Sequence, residues 1–212
     1  MKLFTTITLP SMARQSCQDF TWLVLMDRQT PEHYIRELER VACPTMKLIF
    51  WKSDQLGWQQ GFEPGRCELI TTRVDNDDAF YRDAVKDIQN AWRTQNAGRA
   101  KPWLIVFPFG MILDLASRRM WVMEYWFNNC PTMVEESENA RTVYRWQHSE
   151  IPLEVPRFFI KDKPYWLQVV HSRNVLNAID SRNPLRIVHR ELPAGIELLR
   201  QFGIDPADLP SA

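Results

Sequence analysis

The stretch Leu69–Val85, LITTRVDNDDAFYRDAV, decides how the chain is read. An apolar strand, Leu69 to Val74, runs into an acidic cluster at Asp75, Asp77 and Asp78, and a helix is expected directly after it. Three carboxylates on a tight turn at the carboxyl end of a buried strand repel one another. A divalent cation relieves that repulsion, because hard cations such as Mg²⁺ and Mn²⁺ prefer oxygen ligands and carry diphosphates with them. In open α/β sheets ligands also bind beyond the carboxyl ends of the strands. The competing reading is helix capping, since Asp is a favoured N-cap at the positive helix end. Capping accounts for one or two of the three.

Working outward towards the amino end, Lys47–Trp51 reads as a short apolar strand and Phe20–Met26 as another, buried on both faces in the parallel-sheet manner. Between them Thr30-Pro31-Glu32 announces a helix with an N-cap, a first-position Pro and an acid in the first turn. Its apolar stripe is Tyr34, Ile35, Leu38, Val41 and Ala42. Strand, helix and strand at this spacing predict a βαβ unit. Residues 2–16 have a loose helical spacing that Pro10 should divide, with Ser11 capping a second piece.

Past the acidic turn, Phe80, Ala84, Val85, Ile88, Ala91 and Trp92 share a helix face that stops before Gly98. Trp103–Phe107, Met111–Leu115 and Met120–Tyr125 then read as a meander of short strands. Thr142–Trp146 and Trp166–His171 add further strands, and Ala194–Phe202 a terminal helix.

Composition narrows the function classes. The 212 residues suit one domain with a real core, and 45% apolar content is ordinary. Lys+Arg and Asp+Glu balance at 26 each, so no global field recruits nucleic acid and any anion site is local. Nine Trp are many, and Trp faces suit sugar rings. Cys17, Cys43, Cys67 and Cys130 form no CxxC pair, which argues against zinc, and Cys43 and Cys67 are expected buried. The amino end is too polar for a signal peptide, and no apolar run approaches about 18 residues. A cytoplasmic location is expected, with a peripheral position at the inner membrane face kept open.

The Asp-x-Asp turn, with FTWLVLMD at 20–27, TVYRWQH at 142–148 and WLQVVHSRN at 166–174, resembles the putative rhamnosyltransferase family of bacteria, over about Leu3 to Asn177. The resemblance implies a GT-A-like (nucleotide-diphospho-sugar transferase) α/β sandwich with a mostly parallel central sheet. It implies one glycosyltransferase-like domain, with 1–98 as nucleotide-binding half, 99–192 as acceptor half and 193–212 as terminal helix and tail. It also implies a nucleotide-diphospho-sugar donor, a glycan or lipid-linked acceptor, and Mn²⁺ or Mg²⁺. Proteins of this kind begin with a strand ahead of the first helix, whereas this chain begins within the equivalent of that helix. The expectation is therefore a sheet lacking its first strand.

On this basis Asp77 is the first expected metal ligand, with Asp75 sharing the metal, a water or the donor ribose. Asp78 caps the next helix or orients the sugar. Asp27 holds the base or caps a turn. Arg73, two residues before Asp75 on one strand face, pairs with it or with a phosphate. His171 is the expected late metal ligand, ahead of His148, while His33 and His189 look unremarkable. Glu135 is the expected base towards the acceptor hydroxyl, with Asp114 and Glu124 as rivals. Two other classes stay open. One is another metal-dependent phosphate-processing enzyme, although neither an Asp-x-Asp-x-Thr nucleophile nor a P-loop is present. The other is a non-catalytic sugar-nucleotide or carbohydrate-binding remnant.

Overall fold

The computed structural model describes residues 1–51, 65, 67–127, 130–147, 150–172, 186–192 and 195–210. The amino-terminal helix is divided near Pro10, as its sequence predicts: a π-helical segment, Phe4–Thr8, passes into α1, Leu9–Ala13. Ser11 does not cap. It lies within α1, and its hydroxyl donates to the Thr8 carbonyl at 2.8 Å. The predicted βαβ unit is present as β1 (Trp22–Asp27), α2 (Glu32–Val41) and β2 (Met46–Trp51), with β1 and β2 parallel. No side chain caps α2; Pro31 occupies the cap position.

The strand before the acidic turn is β3, Glu68–Thr72. The helix expected directly after the turn begins later. A two-residue strand, β4 (Ala79–Phe80), comes first, and α3 spans Ala84–Gln95. Ala84, Ile88 and Ala91 bury one α3 face at the helical spacing their pattern requires.

The remaining strands are β5 (Trp103–Val106), β6 (Phe109–Asp114), β7 (Arg119–Tyr125), β8 (Thr132–Glu136), β9 (Arg157–Phe159), β10 (Trp166–Val170) and β11 (Arg186–Glu191). They form a five-stranded sheet ordered β11-β7-β6-β10-β4 and a four-stranded sheet ordered β3-β8-β5-β9. The fold is mixed α/β. The expected mostly parallel sheet is corrected: β1–β2, β6–β10 and β5–β9 are parallel, and the other five pairings are antiparallel. The expected three-strand meander is also corrected. Of these three strands β6 and β7 pair as a hairpin, whereas β5, among the described residues, pairs with β8 and β9. Thr142–Trp146 is not a strand but a short 3-10 turn over Val143–Arg145. Cys67 is exposed and Cys43 half-buried, so neither is the small core residue expected.

The core sits on both faces of the five-stranded sheet. Alternation along β10 divides it: Trp166 joins Trp103, Ile105, Phe107 and Phe80 on one side, while Leu167 and Val169 join Met111, Leu113 and Phe202 on the other. The chain end supplies the second layer through a 3-10 segment, Gly195–Phe202. β10 is buried almost throughout, which makes it a rigid base for the residue that follows it, His171.

Candidate active site at the acidic turn

The turn after β3 sends its three carboxylates to different places. The Asp78 amide donates to the Asp75 carbonyl at 3.2 Å and closes the turn. Asp75 faces back along the chain, where Arg73 Nε donates to its Oδ1 at 2.9 Å. The Arg73 guanidinium also lies 5.9 Å from the Tyr144 ring centroid. Asp77 points towards the end of β10, and His171 Nε2 lies 3.0 Å from its Oδ2. Both of those side chains keep some solvent access, 19% for Asp77 and 15% for His171.

Asp78 goes inward. It is 2% exposed and accepts the Val169 amide at 3.1 Å. Burial, and after it the charges of Asp77 and Asp75, hold its carboxyl well above the usual carboxylate range. β4 explains the placement: Ala79 and Phe80 pair with Leu167 and Trp166, so Asp78 arrives at the side of β10 rather than at a helix end. The capping role expected for Asp78 is thus corrected; Asp83 occupies the α3 cap position. β4 and the Asp78–Val169 bond together fasten the acidic turn to β10 and bring Asp77 against His171, 94 residues further along the chain.

The family model described as putative rhamnosyl transferase matches residues 1–183. The chain belongs to that family. No curated protein and no solved structure matches it. For this member of the putative rhamnosyl transferase family, the matched span contains the acidic turn, Tyr144 and His171.

The other expected site residues fall as follows. Asp27 ends β1 and accepts the Gln29 amide at 2.7 Å, an Asx turn. Glu135 is 3% exposed at the end of β8. Its Oε2 accepts the Thr142 amide at 2.7 Å, its Oε1 the Arg141 amide at 3.4 Å, and Arg145 Nη1 is 3.7 Å away. These bonds hold the loop that carries Tyr144, where Thr142 has a φ of 63°. Asp114 binds Ser117 Oγ in the β6–β7 turn. Glu124 accepts the Trp126 indole N–H and lies 3.2 Å from His189 Nε2. His33 packs against Tyr34. His148 lies outside the described residues.

Two contributors escaped the sequence reading. The sequence predicts a strand at Tyr144, and nothing in TVYRWQH marks its ring as the neighbour of Arg73. Arg186, which pairs with Gln168 and adds positive charge near Asp78, sits in a segment with no distinguishing pattern.

Among the described residues no group of three His, Cys, Asp or Glu side chains gathers as a cation site. Asp77 offers the oxygen a hard divalent ion prefers, and His171 sets one imidazole nitrogen beside it. Asp77 Oδ2 and His171 Nε2 are 3.0 Å apart. Two neighbouring ligands of an octahedral ion at about 2.1 Å are separated by about 3.0 Å. Mg²⁺-type ions commonly take one or two carboxylates and complete their shell with water and phosphate.

Proposed function

We propose that this protein transfers a sugar, rhamnose being the one its family description names, from a nucleotide-diphosphate donor to a hydroxyl of a glycan or lipid-linked acceptor. The observation that carries the reading is the Asp77–His171 pair, held at the end of a buried strand beside Arg73 and Asp75. Family membership supplies the reaction class. In this reading Asp77 and His171 hold Mn²⁺ or Mg²⁺. When bound there, such an ion would supply Lewis-acid offset of negative charge on a diphosphate leaving group.

The chain's own residues do the rest. Arg73, oriented by Asp75, presents a guanidinium to a phosphate oxygen. Asp78 stays inside and fixes the turn. Glu135 acts as the anchor of the Tyr144 loop, since its oxygens already accept two backbone amides. Asp27 keeps its turn bond at the end of β1 and lies open to a base or ribose.

The test is turnover. Purified protein is incubated with Mn²⁺, a panel of nucleotide sugars that includes nucleotide-activated rhamnose, and simple glycan acceptors, with nucleoside diphosphate release as readout. Release that depends on acceptor, and drops at least about 10–100-fold in Asp77→Asn, supports transfer. Hydrolysis of simple phosphate esters with no sugar transfer contradicts it.

A further inference from the structure

Five side chains outside the acidic turn gather around the end of β7. Trp126 follows that strand, and it is 38% exposed. Three contacts nevertheless fix its ring. The indole N–H donates to Glu124. Phe159, the last residue of β9, meets the indole edge-on with ring centroids 5.0 Å apart. The Lys161 ammonium lies 4.4 Å from the Trp126 centroid and 5.4 Å from that of Phe159. The second Glu124 oxygen, Oε2, lies 3.2 Å from Nε2 of His189 on β11. A single exposed Trp is ordinary on a protein surface. One held at once by a carboxylate, an aromatic ring and an ammonium is already oriented, so a ligand that stacks on it has little rotamer entropy to remove.

The sheet places this cluster relative to the acidic turn. β8 lies antiparallel to both β3 and β5, and β9 is parallel to β5, so β3, β5 and β9 run in the same direction. Thr72, Thr132, Ile105 and Phe158 form one row across the four strands. One row further out, the Arg73 amide donates to the Pro131 carbonyl, and Phe159 pairs with Val106. Side chains in one row share a face of the sheet. Arg73 and Phe159 therefore project from the same face at the same end, three strand spacings or about 14 Å apart. That separation is the reach of an oligosaccharide rather than of a single sugar.

We propose that Trp126 and Phe159 are a platform for a saccharide ring, with Glu124, His189 and Lys161 as its polar rim. A pyranose carries C–H bonds on one face and hydroxyls around its edge. The indole takes the C–H face. The carboxylate accepts from hydroxyls and the ammonium donates to their oxygens. Lys161 covers part of the ring in the free protein. Its cation–π contact is weak at an exposed ring and its stem is flexible, so the ammonium moves to the sugar at little cost. An alkyl chain would use the ring and none of the three polar heads. Naming this saccharide the acceptor rests on the transferase reading; the platform itself does not.

The test uses the full chain labelled with 5-fluorotryptophan and read by ¹⁹F NMR. Of its nine Trp resonances, that of Trp126 is the one missing from Trp126→Phe. Rhamnose, mannose and glucose trisaccharides are titrated in with EDTA present, so that no cation site contributes. The Trp126 resonance should move saturably with at least one of them. In turnover assays Trp126→Ala should raise the acceptor KM about tenfold and leave the donor KM unchanged. A Trp126 resonance that stays still with every trisaccharide, or that moves only with uridine or hexanol, overturns the proposal. Movement in a protein that transfers no sugar upholds the platform and removes the acceptor assignment. Transfer whose acceptor KM ignores Trp126→Ala overturns the platform and leaves the transferase reading standing.

Discussion

Substitution of Glu135 separates an anchor from a base. Its strongest bond is the 2.7 Å acceptance of the Thr142 amide, and Thr142 is itself only 3% exposed. In Glu135→Ala that amide is left inside without its acceptor. A charge-assisted bond of this kind contributes about 1.5–3 kcal/mol, and an orphaned buried donor costs a similar amount. The Arg141 amide at 3.4 Å and Arg145 at 3.7 Å, a third exposed, add little. A loss of about 2–3 kcal/mol follows, which in a chain of this size lowers Tm by roughly 4–12 °C. Glu135→Gln keeps an amide oxygen towards Thr142, so it should cost less than about 1 kcal/mol. Circular dichroism melts give Tm, and diphosphate release from nucleotide sugar gives turnover. The anchor role predicts that Glu135→Gln melts near wild type and keeps turnover within about threefold. A Gln variant that melts like wild type but loses 10²–10⁴-fold in turnover, the usual cost of removing a general base, would refute the reasoning.

Further outcomes concern the framework around the turn. A methyl group added at Gly110 would interpenetrate the indole of Trp166, which is 1% exposed and donates to the Phe107 carbonyl at 2.9 Å. Gly110→Ala should therefore cost about 3 kcal/mol and visibly lower Tm, and an unchanged melt would contradict that packing. Asp78 holds its proton to higher pH in the folded state than in the unfolded chain, because of burial and then Asp77 and Asp75. That stability is fully present below the unfolded value of about 3.9 and declines as pH rises towards the folded value. Asp78→Asn keeps an acceptor for Val169, so it should melt above wild type at pH 7, with the advantage shrinking towards pH 4. An advantage that grows on acidification would have the wrong sign.

The local parts of this fold were legible in the chain. β1, α2 and β2 follow from short apolar runs around a Pro-marked helix start, and the acidic turn was visible because three Asp follow a strand. Long-range pairing was not. The two-residue strand β4 is too short to carry a periodicity, yet with the Asp78–Val169 bond it carries the turn to β10 and places Asp78 inside. The Asp77–His171 contact could be expected only through resemblance, since 94 residues separate the two. Glu135 read as a free acid after an apolar run, because no local pattern shows that the Thr142 amide returns to it from seven residues on. TVYRWQH has the aromatic and β-branched content of a strand, but the Glu135 and Thr71 acceptors bend it into a turn.

The most direct measurement is a thermal melt with Mn²⁺ and a nucleoside diphosphate, alone and together, on wild type, Asp77→Ala and His171→Ala. A ligand at 100 times its dissociation constant stabilises by about 2.7 kcal/mol, or roughly 5–11 °C here. That shift is expected in the wild type with both ligands present, and little or none in either variant. Equal shifts in all three proteins would contradict it.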